Sequence, residues 1–497
     1  MALPDVVSRE EWLTARRELL IMEKELTRQQ TAINAARRRL PMVRVEEDYV
    51  FEGRDGRCTL KDLFSGGRQL IVKHVMFGPD WDRPCPGCQA DVDEMTLAEL
   101  RHLCSRDTTF VLVSRAPYKK IAEASEELGW FIPWYSSYGT DFNYDFWATL
   151  DFKRGQLEHN FRTDPDALDG EESAEVSGVS CFIHEEDGGV FHTYSAYARG
   201  TEFLGSSYTF LDLTVLGRQE DWEEPKDRVP PVRGGDPTFT SLQKREQPET
   251  GGNPTMALPE VVSREEWLEA RRSLLEREKA HTRSSDALNA DRRRLPMVAM
   301  EKDYVFEGPQ GPLGLKDLFG GTHQLIVFHV MFGPDWENPC PFCSDAIRVM
   351  QPSLFEDLRR RDTEYVLTAR APYAKIAKAK QERGWEVPWY SAYGSDFNFD
   401  LNVSFDSAAE TPQVFNYREE PWLSGDDAPG EMSGMSFFLR TDDGTVFHNY
   451  STYARGLEGT IGVYQMLDMT PLGRQEVWEE PKGRVETPRP ASPRFDT

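Results

Sequence analysis

Cysteine is scarce in this chain, 7 among 497 residues. A sparse, odd-numbered set excludes the disulfide framework of a small secreted domain and fits reduced thiols with a local chemical role. Long apolar runs are missing as well. No stretch approaches the roughly 18 consecutive apolar residues of a membrane span, and the opening "MALPDVVSREEW" has neither a basic n-region nor an apolar h-region. These absences place the chain in the cytoplasm, off the membrane. Basic residues are few: 58 Lys and Arg stand against 84 Asp and Glu, a formal charge of -26. Such a surface repels phosphate backbones and anionic lipid, so nucleic acid is not an expected partner. Apolar residues, at 39%, and aromatics, at 11%, are sufficient to build more than one core.

The chain is written twice. "MALPDVVSREEW" returns as "MALPEVVSREEW", "HVMFGPDWDRPCPGC" as "HVMFGPDWENPCPFC", and "FHTYSAYARG" as "FHNYSTYARG". Cys85 and Cys340, like His74 and His329, lie 255 positions apart, and His192 and His448 lie 256 apart. A repeat of this length is a whole domain, since solenoid and propeller repeats run about 20–50 residues. The division is a first copy over 1–225, a Pro- and Gly-rich flexible linker over 226–255, a second copy over 256–484 and a disordered tail over 485–497. The chain reads as a dimer fused into one polypeptide.

Each copy opens with a charged amphipathic helix, Ser8 to about Arg39 and Ser263 to about Arg294, begun by the N-cap signature "SREE". This is the pattern of a surface or dimer-clasping helix. The apolar runs "QLIVKHVMF" and "QLIVFHVMF" read as a central buried strand. A turn-rich loop follows and delivers a CxxC to the start of a helix. Then come a second apolar strand ("TTFVLVSRAP", "TEYVLTARAP"), a further helix, an aromatic segment and a final hairpin. Alternating strands and helices predict an α/β fold, a central mixed sheet flanked by helices in each copy.

The order strand, CxxC at a helix start, strand, helix, hairpin resembles the thioredoxin superfold. Within its peroxiredoxin-like branch, "HVMFGPDW", CPxC, "GWxxPWYSxYGxDFN" and "FHxYSxYARG" are similar to an uncharacterised bacterial thioredoxin-like family, over almost the full length of both copies. The resemblance implies tandem thioredoxin-like domains. Two departures weigh on its chemistry. The place of the thioredoxin cis-proline falls on Val179 and Met435, and the threonine or serine that a peroxiredoxin sets three residues before its attacking cysteine is replaced by Asp82 and Glu337.

A cysteine at a helix N-terminus meets free backbone N–H groups and the positive end of the dipole, which favour thiolate. Cys85 and Cys340 are therefore the expected attacking residues, and Cys88 and Cys343, one turn on, the resolving ones. Arg115, Arg199, Arg370 and Arg455 are candidates to hold an anionic substrate or favour the thiolate. The leading function is thiol–disulfide oxidoreduction on a small-molecule or protein thiol. Its rival is a copper, or less readily zinc, enzyme or carrier, in which His74, Cys85, Cys88 and His192 are the ligands in the first copy and His329, Cys340, Cys343 and His448 in the second. A non-enzymatic redox sensor is the third reading.

The aromatics Trp130, Trp134, Tyr135, Tyr138, Phe142 and Tyr144, with Trp385, Trp389, Tyr390, Tyr393, Phe397 and Phe399, suit core packing better than a substrate wall. Cys58, Cys104 and Cys181 face Leu313, Arg359 and Phe437 in the second copy and read as packing residues.

Overall fold

The computed structural model describes residues 3–163, 172–185, 188–226, 228, 257–425 and 428–490. Most of the expected linker over 226–255, and the part of the expected tail after 490, lie outside the described residues. Within 485–490 the Arg489 N–H donates to the Gln475 carbonyl at 2.7 Å.

In the first copy, eight strands form one mixed sheet. Across it the order is Val43–Arg44, Val190–Tyr197, Gly178–His184, Gln69–His74, Thr108–Ser114, Trp134–Ser136, Val50–Gly53 and Gly56–Thr59. Gln69–His74 lies at the centre, parallel to Thr108–Ser114 and antiparallel to Gly178–His184. All six of its residues are buried, which is why it reads as a continuous apolar run rather than an alternating one. The helices Pro86–Asp93 and Leu97–Ser105 cross from the first central strand to the second. This is the thioredoxin-like arrangement: two parallel central strands joined through the CxxC helix, followed by an antiparallel hairpin. The second copy repeats it around Gln324–His329, with Thr363–Ala369 parallel and Gly434–Arg440 antiparallel to it.

The long helices run over Arg9–Arg39 and Arg264–Arg294. The chain divides into two compact units, Thr27–Arg283 and Met1–Leu26 with Ser284–Thr497, so each unit combines one copy's sheet with the opening turns of the other copy's long helix.

In the unit Thr27–Arg283, Trp267 is fully buried with its ring centroid 4.6 Å from that of His192, and its indole N–H donates to the Thr193 carbonyl at 3.4 Å. Arg271, one turn on, donates to the Ser195 carbonyl at 3.1 Å. In the unit Met1–Leu26 with Ser284–Thr497, Trp12 donates to the Asn449 carbonyl at 2.8 Å and Arg16 to the Ser451 carbonyl at 3.3 Å. The charged pattern suggested a surface or dimer-clasping helix; each helix seats a tryptophan and an arginine in the core of the unit that holds the other copy's sheet. The arginine is tolerated because it is paired. Glu278 takes Arg271 at 2.8 Å and Arg37 at 2.8 Å. Burial alone would raise the Glu278 carboxyl, but these two guanidinium groups bring it down to about 2.

Candidate active site

A loop and a helix start position the dithiol. After the central strand, "FGPDW" folds tightly: a Cβ on Gly78 would sit 3.1 Å from the Trp81 ring, and one on Gly333 would sit 3.0 Å from Trp336, so glycine is what lets each indole lie back on the loop. The Lys120 ammonium ties the loop down, donating to the carbonyls of Pro79 at 2.9 Å and Trp81 at 3.0 Å. Lys375 does the same for Pro334 and Trp336.

Cys85 is the residue that caps the helix Pro86–Asp93, with Pro86 in the first helical turn where no backbone N–H is needed. Its N–H donates to the Met76 carbonyl at 3.0 Å. Cys85 is half-buried, whereas Cys88 is only 3% exposed. The Cys85 thiol is drawn down to about 6 by a hydrogen bond from the Cys88 thiol and by the N–H groups of Cys88 and Gly87, against a burial that raises it. Cys88 moves the other way, well above its ordinary value, because it is the donor of that bond and is buried.

Cys340 and Cys343 repeat the arrangement. Cys340 caps Pro341–Arg348 and is lowered to about 6 by the bond from Cys343 and the N–H groups of Cys343 and Phe342. Cys343 is 3% exposed and raised. One accessible thiolate backed by one buried thiol is the division of labour expected of an attacking and a resolving cysteine.

Behind the dithiols the two copies differ. In the first, the buried Lys73 ammonium pairs with Asp91 at 2.6 Å. Burial opposes its charge, but Asp91, Cys88 and Cys85 raise its pKa overall. In the second, Phe328 and Ala346 occupy those positions. Tyr365 replaces Phe110, and its hydroxyl is buried without a hydrogen-bond partner among the described residues. The dithiol is also presented differently, because Phe342, 56% exposed, stands where Gly87 does.

The histidines do not join the cysteines, and the Cys, Cys, His, His ligand set expected for copper or zinc is not assembled. Adjacent strand residues face opposite sides of a sheet. Ile71 packs in the core that holds Cys88, while Leu70 and Val72 pack in the other core with Phe142 and Phe182. Lys73 therefore faces the dithiol and His74 faces away, its ring 5.8 Å from that of Phe142. His74 instead heads a buried polar chain. Its Nε2 meets the Ser180 hydroxyl at 2.9 Å, Ser180 meets Ser195 at 2.9 Å, and Ser195 meets His192 Nε2 at 2.8 Å.

His329, Ser436, Ser451 and His448 form the same chain in the second copy at 2.9, 2.8 and 2.8 Å. Burial drives these imidazoles toward the neutral form: His74, His192 and His329 fall to about 3, and His448 falls well below its ordinary value. Among the described residues, no group of three or more His, Cys, Asp or Glu side chains is placed to hold a metal.

The arginines separate into two kinds. Arg115 pairs with buried Glu175 at 3.1 Å, and Arg370 with Glu431 at 3.0 Å. Burial raises both carboxyls, Glu431 to about 7. These two are internal ion pairs, each covered by an aromatic ring, Tyr144 or Phe399. Arg199 and Arg455 are surface residues paired with Glu202 and Glu458.

Packing also accounts for much of the aromatic segment: Trp134, Phe142, Trp389 and Phe397 are core, whereas Tyr138 and Tyr393 are exposed. Of the three unmatched cysteines Cys181 is buried, Cys58 is partly buried and Cys104 is exposed, so Cys104 is not a packing residue. Val179 and Met435 lie in the apolar cores that hold Cys88 and Cys343, opposite Lys73 and Phe328 in the sheet.

Lys73, Asp91, Glu175 and Glu431 were not picked out from the sequence as site residues. The joint replacement of Lys73 and Asp91 by Phe328 and Ala346 was the available signal for the first pair.

No helix among the described residues is long and apolar enough to cross a membrane. No curated protein matches the chain. Among solved structures, a cysteine-to-serine variant of Xanthomonas campestris peroxiredoxin Q is 14% identical, covering 31% of this chain and 82% of its own, with a TM-score of 0.22. The Xanthomonas campestris bacterioferritin comigratory protein is 13% identical over the same shares, with a TM-score of 0.21. The model of one family, described as "Bacterial protein of unknown function (DUF899)", matches residues 1–234 and again 256–489, so the chain belongs to that family and carries it twice.

Proposed function

We propose that each copy carries out thiol–disulfide exchange through its CxxC. The observation that supports this reading is the pairing, at a helix N-terminus, of a half-buried cysteine lowered to about 6 with a buried cysteine that donates to it. The Cys85 thiolate attacks one sulfur of a substrate disulfide, an S–S bond in the substrate breaks, and the first substrate thiolate leaves. Cys88 then gives up its proton and attacks Cys85 Sγ. The mixed disulfide breaks, the second substrate thiolate leaves, and the two cysteines are left oxidised to a disulfide. Run in reverse, with the same balance, the site oxidises a dithiol. Beside the resolving thiol in the first copy the Lys73 ammonium favours ionisation, and its partner Asp91 opposes it.

The substrate class is a small-molecule or protein thiol or disulfide. Reduction of a chromogenic aryl disulfide by the prereduced chain tests the reading. The double variant Cys85→Ser with Cys340→Ser is expected to lose the reaction. Undiminished reaction in that variant would overturn it.

A further inference from the structure

A cavity of about 280 Å³ lies within the unit Thr27–Arg283, and neither cysteine of the motif lines it. Arg37, Arg162, Arg199, Arg271, Lys279 and Arg283 line it, and Glu278 is the one carboxylate among the described lining residues. In a chain of net charge -26 this concentration of cations is against the average. Clefts lined by one sign of charge focus the field and gather the opposite ion.

The innermost cation is also incompletely used. Arg271 is 1% exposed; its Nε donates to the Ser195 carbonyl, and its Nη2 reaches Glu278 at 2.8 Å and the Tyr194 hydroxyl at 3.2 Å. Its Nη1 is buried without a hydrogen-bond partner among the described residues, and the guanidinium lies over the Tyr194 and Phe161 rings. A buried guanidinium N–H left unmade is costly, and a negative charge in the cavity offsets that cost through space. Glu278 does not, because it already serves Arg37 and Arg271 together. Ile33, Phe203 and Leu275 supply an apolar wall beside the cations.

The duplication repeats the buried arginine and its carboxylate. In the unit Met1–Leu26 with Ser284–Thr497, Arg16, Glu23, Arg292 and Arg455 stand at the corresponding positions. Arg16 pairs with Glu23 at 2.8 Å and Arg292 with the same carboxylate at 3.0 Å, and Arg16 Nη1 is again buried and unpartnered.

We propose that this cavity is a binding site for a small organic anion, an oxyanion headgroup on a compact apolar body. The headgroup meets Arg199 and Lys279 at the rim, with the Arg271 guanidinium behind it, and the body lies on Ile33, Phe203 and Leu275. The volume falls just below the roughly 300–1,000 Å³ of drug-sized sites, so the ligand is of small-metabolite size. The site stands independently of the dithiol chemistry.

Calorimetric titration of the full chain at low ionic strength tests it, with phenyl phosphate, benzoate and inorganic phosphate as probes at up to about 10 mM, where even a Kd of ~1 mM is readily seen. Phenyl phosphate, benzoate or both are expected to bind, more weakly as salt is added, and the stronger of the two identifies the headgroup. Arg199→Gln with Arg455→Gln, both at exposed positions, is expected to weaken binding about tenfold, the loss of one charge-assisted contact. Arg271→Met with Arg16→Met is expected to abolish it, with circular dichroism reporting whether the fold survives. The rim variants keep the test decisive if it does not. No binding of either aryl probe, binding of inorganic phosphate alone, or aryl binding unchanged in the rim variants would overturn the proposal.

Discussion

The two dithiols share a backbone setting but not a background. Cys85 and Cys340 each cap a helix, each receive a hydrogen bond from a buried partner, and are both lowered to about 6. Behind the first stands an ion pair, buried Lys73 with exposed Asp91, and behind the second an apolar pair, Phe328 with Ala346. What the copies hold in common is thus set by helix geometry and loop anchoring, whereas what separates them is charge next to the resolving thiol. A nearby cation stabilises the thiolate and hence the reduced form, which makes a dithiol the more oxidising. Under the proposed exchange chemistry, the first copy is expected to have the higher reduction potential of the two.

The comparison breaks most completely if either cysteine pair is dispensable. Cys85→Ser is expected to remove exchange at the first copy and leave the second, and Cys340→Ser to do the reverse, with intact-mass detection of a trapped mixed disulfide assigning each. The next effect concerns the helix turns that complete the cores. Trp12→Ala and Trp267→Ala should each cost about 3–5 kcal/mol. Hydrogen exchange is expected to report the first in the unit that contains the Gln324–His329 strand and the second in the unit that contains Gln69–His74.

A pH effect should strike both copies alike. His74, His192, His329 and His448 are buried neutral with pKa values depressed in the fold. The unfolded chain, with imidazoles near 6.5, binds protons first. The contribution of these histidines is therefore full above about pH 6.5 and falls as pH drops below it, by up to about 1.4 kcal/mol per pH unit for each, whereas Glu99, Glu431 and Glu476, which burial raises to about 7, contribute in the opposite direction. Denaturant melts at pH 7.5 and 5.5 of the chain and of His74→Gln with His329→Gln check this: the variant is expected to lose less stability on acidification, and an equal loss would contradict it. The smallest effect is the sharpest on the comparison. Lys73→Met is expected to lower the first midpoint potential, and Phe328→Lys with Ala346→Asp to raise the second, each by about 15–30 mV.

Much of the fold was legible because its signals are local. The buried central strands, the CxxC at a helix start and the closing hairpin all follow from runs, turns and caps. The exchanged helix turns were not legible, since two near-identical copies present the same recognition surface and the sequence of Arg9–Arg39 does not say which sheet takes Trp12. This is the ambiguity on which domain swapping rests. The histidines teach a different lesson. Lys73 and His74 are neighbours on a strand and must face opposite sides, so a strand histidine beside a residue that faces the dithiol could have been recognised as facing away. The Arg115 and Arg370 partners, Glu175 and Glu431, lie about 60 residues downstream, where local patterns carry no pairing information.

Redox titration of the full chain, with alkylation at each poised potential and mass spectrometry of the cysteine peptides, tests the central claim most directly. Cys85 with Cys88 and Cys340 with Cys343 are expected to pass from dithiol to intramotif disulfide at two separate midpoints, the first copy at the higher potential. Cysteines that stay reduced across roughly -350 to -100 mV, a span covering known dithiol couples, or that form no bond within either motif, would contradict it.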